Sequence, residues 1–106
     1  MRSRYVVLPR ADEDLDEQAD YLTVEANIGV ALRFLEAAHD TFALLSSHPE
    51  MGWQCRLRHP GLASARVFRV KGFEKILIFY RLSRDRIEIL RVLHGSQDLE
   101  ALFEKE

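Results

Sequence analysis

The chain has 106 residues and a mass of 12.3 kDa, enough for one domain of ordinary size spanning 1–106. Its composition, 47% hydrophobic and 30% charged, is that of a globular chain that can offset its ordering entropy. A single cysteine, Cys55, excludes an internal disulfide framework and a Cys-based zinc site, and no apolar run approaches the ~18 residues of a membrane span. The short apolar run before Pro9 cannot serve as a signal-peptide core, so a soluble cytoplasmic protein is expected.

The net charge of −2 hides an asymmetry. Residues 1–52 carry four Arg against ten Asp and Glu, a net of −6. Residues 53–95 carry ten Lys and Arg against three acids, a net of +7, and residues 96–106 return to −3. A basic block between acidic ends suits a polyanionic or acidic partner. Mutual neutralisation of the two halves within the fold accounts for it equally well.

In chain order, Arg4-Tyr5-Val6-Val7-Leu8 reads as a strand, rich in β-branched and aromatic residues and ending at Pro9. Pro9 suits a first helical turn, and Asp12, Glu13 and Asp14 suit the positive end of a helix dipole. Ala11, Leu15, Ala19, Leu22 and Ala26 form one apolar stripe on an otherwise acidic helix. Asn27-Ile28-Gly29 interrupts it. A second stripe, Ala31, Phe34, Leu35, Ala38, Phe42 and Leu45, predicts a helix over 30–46 that stops at His48-Pro49. The short link makes the pair an antiparallel hairpin. Residues 53–64 read as a loop. Arg66 to Val70 alternates, Lys75 to Leu82 is a buried strand, Arg86 to Leu93 is another, and the short links make antiparallel hairpins. Ser96 is placed to cap a last short helix carrying Leu99, Leu102 and Phe103. The order β-α-α-β-β-β, with a short C-terminal helix, predicts an α+β fold. Its helical hairpin covers one face of a small antiparallel sheet and leaves the other partly open. The two helical stripes are expected to pack on Ile76, Ile78, Ile87 and Ile89 or their alternating neighbours.

Most candidate chemistry reduces to ordinary structure. Glu36, His39 and Asp40 resemble half of a di-iron motif, but the second half is missing, so they read as a solvated helix face. Gly61, Gly72 and Gly95 stand alone and form no phosphate loop. Cys55, next to Trp53 and Leu57, reads as packed and inert despite Arg56 and Arg58. Arg91, set among apolar neighbours, needs a partner if buried; Glu88 or an acid of the first helix is expected to supply it. The remaining cations carry more interest. Arg69 and Lys71 are expected on one strand face, Arg81 and Arg84 cluster at a hairpin, and His94 ends the last strand. Arg66, Arg69, Lys71, Arg81, Arg84 and His94 are therefore the candidates for a binding surface, whether for RNA phosphates, for the acid side chains of a partner or for nothing beyond solvent.

Several stretches resemble the RelE/ParE superfamily of bacterial toxins, on the ParE side. They are Phe68-Arg69-Val70, Leu77-Ile78-Phe79-Tyr80-Arg81 and Ile87 to Gly95 followed by Asp98. Earlier matches are Pro9, Ala11, Asp14-Leu15, Tyr21-Leu22, and Phe34-Leu35 running to His48-Pro49 and Gly52. The most specific part is Arg91-Val92-Leu93-His94-Gly95. RelE-like members cut messenger RNA on the ribosome, and ParE-like members poison DNA gyrase. RNA cleavage needs a base, an acid and cations on the phosphate. Where ribonucleolytic members resemble Arg-Leu-Val-Tyr, this chain has Leu77-Ile78-Phe79-Tyr80, and only Lys71 and Lys75 precede it. The resemblance thus implies a non-enzymatic gyrase inhibitor of a type II toxin–antitoxin pair, bound in a heteromeric complex by a ParD-like antitoxin. No catalytic residue, cofactor, metal, membrane contact or direct sequence-specific nucleic-acid binding is expected. The alternatives are a ribosome-dependent endoribonuclease and a toxin-like module that retains only antitoxin binding.

Overall fold

The computed structural model describes residues 4–104. Strand β1 (Tyr5–Val7) leads into α1 (Pro9–Glu25) and α2 (Ile28–Ser47). After a single 3-10 turn at Pro49–Met51 come β2 (Trp53–Gln54), a second 3-10 turn at Pro60–Leu62, β3 (Arg66–Val70), β4 (Phe73–Ser83), β5 (Arg86–His94) and α3 (Leu99–Glu104). Pro9 opens α1, where its missing N–H costs nothing. Asn27 caps α2, accepting the Val30 N–H at 3.0 Å. The expected stripe on α1 runs one residue too far, because Ala26 is the exposed residue that closes the helix.

The sheet has five strands in the order β1-β5-β4-β3-β2. The pairs β5-β4, β4-β3 and β3-β2 are antiparallel, and β1 lies parallel to β5, with Tyr5 opposite Ile87 and Val7 opposite Ile89. No hairpin turn ties β1 to β5, so nothing forces them to run in opposite directions. Two expectations on this half need correction. The segment read as a loop over 53–64 contains β2, whose Trp53 and Gln54 pair with Val67 and Arg66. Lys71 does not share a strand with Arg69: the register shifts between Arg69 and Val70, β3 ends at Val70, and Lys71 falls in the turn before Gly72, whose φ is +84°.

On the helix side, Ala11, Leu15, Phe34, Ala38, Phe42 and Leu45 bury against Ile76, Ile78, Ile87 and Ile89, as the two periodicities predict. Ala19, Leu22 and Leu35 pack around this core, half-buried. The opposite face is more covered than expected. Leu62, Ala65, Val67, Phe79, Leu93 and Phe103 form a second buried cluster, with Cys55, Leu57, Leu99 and Leu102 packed against it. The segment after β2 and α3 therefore cover that face, because Phe79 and Leu93 point away from the hairpin and need their own apolar cover. Asp98, rather than Ser96, caps α3, accepting the Ala101 N–H at 3.2 Å.

Asp14 and Arg91 tie the layers together. Both are buried, and the Arg91 Nε and Nη2 donate to the Asp14 carboxylate at 2.7 and 3.1 Å, so the first helix supplies the partner that Arg91 needs. The same carboxylate accepts the Val92 N–H at 3.0 Å. β1 has ended by this point of β5, so Asp14 takes over where the neighbouring strand stops. The Arg91 guanidinium also lies 5.5 Å from the Phe103 ring centroid, which links α1, β5 and α3.

Candidate partner-binding surface

Strand alternation decides which cations share a face. Arg69 pairs opposite Leu77, whose side chain packs with the outer cluster, so Arg69 projects on the outer face and is exposed. Its guanidinium lies 4.9 Å from the Trp53 ring centroid, a cation–π contact at the sheet edge. An open groove of about 510 Å³ adjoins it, walled by Trp53, Leu57, Val67, Leu77, Phe79 and Leu99, with Arg56 and Glu100 as its charged lining. Cys55 also lines this groove, half-buried and unpaired by any disulfide.

The other candidates lie elsewhere. Arg66, opposite Tyr80, is on the helix side, half-buried, with Nη1 donating to the Gly52 carbonyl at 2.7 Å. Lys71, in its turn, is exposed, and its backbone N–H donates to Thr41 Oγ1 at 3.2 Å. Arg81 Nε donates to Glu88 Oε1 at 2.8 Å on the neighbouring strand. Arg84 sits in the β4–β5 turn with φ 60°, at the far end of β4 from Lys71. His94 pairs opposite Ile76, a helix-side core residue. Its Nδ1 accepts the Ser96 N–H at 3.1 Å, so the neutral ring carries its proton on Nε2. The ring lines two adjoining hollows of about 250 and 310 Å³ between α1 and the end of the sheet. The six candidates thus divide between two faces and two turns.

Tyr80 positions the Trp53–Arg69 pair. Its buried hydroxyl donates to the Pro49 carbonyl at 2.7 Å and accepts the Gly52 N–H at 2.9 Å. A Cβ at Gly52 would stand 2.5 Å from that hydroxyl and 2.7 Å from the Val67 carbonyl, so only glycine permits this approach. The lock holds the chain entering β2 and hence Trp53. Burial pushes the Tyr80 hydroxyl pKa above the ordinary 10.0; the Gly52 contact and the Arg66 charge pull it back, and Glu50 adds to the rise. The Tyr5 hydroxyl, which meets His39 Nδ1 at 2.9 Å, is also raised, by burial first and by the Asp40 charge second.

Sequence reasoning missed Trp53 as a partner for Arg69, because a two-residue strand carries no periodic signal. It also missed four exposed apolar side chains, Tyr21, Val24, Ile28 and Leu32. Their signal is present: they are apolar residues that lie off the core-facing stripes. As for chemistry, Arg69 and His94 lie on opposite faces of the sheet, so a phosphate-binding cation and a proton-transfer group do not converge there. Among the described residues, no cluster of His, Cys, Asp and Glu is arranged to hold a metal ion. No helix among them is long and apolar enough to cross a membrane.

The chain is thus a small α+β domain with a helical hairpin on one sheet face and a cation-edged groove on the other. The family model described as "ParE toxin of type II toxin-antitoxin system, parDE" matches residues 5–99, and the chain belongs to that family. Among solved structures, it is similar to one described as "Chromosomal ParDE TA system from P. aeruginosa". That match has a TM-score of 0.72 at 17% identity and covers 86% of this chain and 94% of that one, a likeness of fold. No curated protein matches the sequence.

Proposed function

We propose that this ParE-type toxin acts in the cytoplasm by binding DNA gyrase and trapping it on cleaved DNA, without catalysis of its own, until a cognate ParD-like antitoxin neutralises it. The observation that carries the reading is the separation of Arg69 and His94 onto opposite sheet faces, with Leu77 beside Arg69 where a ribonuclease needs a further cation. A general base without cations beside it loses most of its stabilisation of a phosphorane-like transition state. In a translating extract, messages are expected to stay uncut on ribosomes. Position-specific cleavage that disappears with His94→Ala would assign a ribonuclease instead.

The antitoxin reading draws on the outer groove. A partly disordered acidic segment folding on binding would seat apolar side chains against Val67, Leu77 and Phe79 and set its carboxylates toward Arg69 and Arg56. Lys71 and Arg84, exposed in their turns, extend the positive rim at either end of β4, while Arg66, Arg81 and His94 reach a partner only from positions already engaged within the fold. Charge complementarity mainly speeds encounter, so raising salt should slow association more than it hastens release. Replacing both Arg69 and Lys71 by Glu should slow association with the cognate antitoxin. An unaltered rate and affinity would remove this face as the docking surface.

A further inference from the structure

The end of the sheet at the β4–β5 turn gathers four arginines. Arg81 pairs opposite Glu88, and Arg86 lies two residues before Glu88 on β5, so the three share the outer face. Arg4 adjoins them: its carbonyl accepts the Ile87 N–H at 3.1 Å, and its Nη1 lies 2.6 Å from Asp85 Oδ2. Arg84 forms the tip. Glu88 and Asp85 engage Arg81 and Arg4, whereas Arg84 and Arg86 are exposed and have no ion pair among the described residues. The backbone of the tip runs against local preference. Ser83 pairs with Arg86, so Arg84 and Asp85 make a two-residue hairpin loop, and Arg84 holds φ at 60°. Glycine takes the first position of such a loop without strain. An arginine in that conformation is an outlier of the kind that marks a binding site.

The opposite end of the molecule has the opposite sign. Residues 12–25 of α1 carry seven Asp and Glu and no Lys or Arg. Glu17 lines the hollow beside His94, at the far end of β5 from Arg86. This charge separation turns the β4–β5 end toward a polyanion and the helical hairpin away from it. The tip, Ser83-Arg84-Asp85-Arg86, carries no apolar side chain, whereas a protein partner draws its affinity from apolar anchors at the centre of the contact. A nucleic-acid backbone needs no such anchor, and the guanidinium fork matches a phosphate in bidentate geometry. We infer that the β4–β5 end is a sequence-independent contact for the phosphate backbone of duplex DNA. Arg84 and Arg86 make the contacts, and Arg4 and Arg81 raise the local potential. The inference rests on the proposed function for its setting: a toxin that meets gyrase on cleaved DNA has a duplex within reach of this end.

The test titrates a short labelled DNA duplex with the full chain, without gyrase, and follows fluorescence anisotropy at low salt. Two duplexes of unrelated sequence should bind alike, and log K should fall with log salt at a slope of about −2, for two phosphates neutralised. Arg84→Gly and Arg86→Gln should each weaken binding several-fold and reduce that slope by about 1. Arg84→Gly also relieves the backbone, so its melting temperature should equal or exceed that of the parent protein. Arg33→Gln, an exposed change on α2, should leave the DNA affinity as it was. Unchanged affinity and slope in the double variant Arg84→Gly, Arg86→Gln would overturn the proposal. An equal loss in Arg33→Gln would do the same, by reducing the effect to net charge. A polyglutamate peptide that binds as tightly as the duplex would assign this end to an acidic protein instead. In a supercoiling assay, the double variant should need several-fold more protein to inhibit gyrase. DNA binding by the parent protein with no effect on gyrase would overturn the gyrase reading alone. Undiminished gyrase inhibition by a double variant that no longer binds DNA would overturn this inference alone.

Discussion

Phe42 and Phe103 are both buried aromatic side chains, one on each face of the same sheet, and very different amounts of chain hold them there. Phe42 sits under two helices of 17 and 20 residues, in a cluster that joins both helices to three strands. Phe103 sits under a six-residue helix, packed on Phe79 at a centroid distance of 5.2 Å and touched by Arg91. The helix side is scaffold. The outer cover is thin, and a short helix tied by few anchors opens at lower free energy than the whole domain.

The comparison can be broken most directly at Phe42. Phe42→Ala should destabilise the protein by about 3–5 kcal/mol in denaturant unfolding, with a cavity on the helix side. A loss below ~1 kcal/mol would mean that the hairpin does not form the main core. Asp14→Ala removes the carboxylate paired with buried Arg91 and the acceptor for the Val92 N–H, and should also cost about 3–5 kcal/mol. Phe103→Ala should cost less than Phe42→Ala, because α3 can lift away on its own. Hydrogen exchange should then rise over 99–103 while β4 and β5 stay protected. Equal global destabilisation by the two Phe changes would make the outer cover part of one cooperative core.

The smallest expected effect sharpens the picture at the β2 lock. Tyr80→Phe leaves the Pro49 carbonyl and the Gly52 N–H without the hydroxyl and should cost about 1–3 kcal/mol. It should also loosen Trp53 from Arg69, seen as a change in tryptophan fluorescence. The fold favours the neutral Tyr80 hydroxyl, whose pKa lies above 10.0. Its contribution is therefore fully present below that pH and is lost as pH rises through the raised value. Alkaline titration by phenolate absorbance should show Tyr80 ionising above the ordinary tyrosine range, with unfolding close behind.

The helix-side core is legible in the sequence because two periods, 3.6 and 2, point at each other: Phe34, Phe42 and Leu45 on one side, Ile78, Ile87 and Ile89 on the other. The outer cover is not legible, because Cys55 to Ala65 has no period and its Leu62 and Ala65 become core only through tertiary packing. Charge was a poorer guide still. Arg66 and Arg81 read as candidate binding residues, yet the Gly52 carbonyl and Glu88 engage them within the fold, partners that lie remote in the chain or across a hairpin. The bulge after Arg69 turned an expected Arg69–Lys71 strand face into one strand residue and one turn residue.

The most direct test of the account is a supercoiling assay with purified gyrase, relaxed plasmid and this protein, free of ribosomes. Supercoiling should fall as the toxin is added, cleaved DNA should accumulate with gyrase bound, and the cognate antitoxin should restore activity when premixed. Undiminished supercoiling with folded protein in large molar excess would contradict the proposed function.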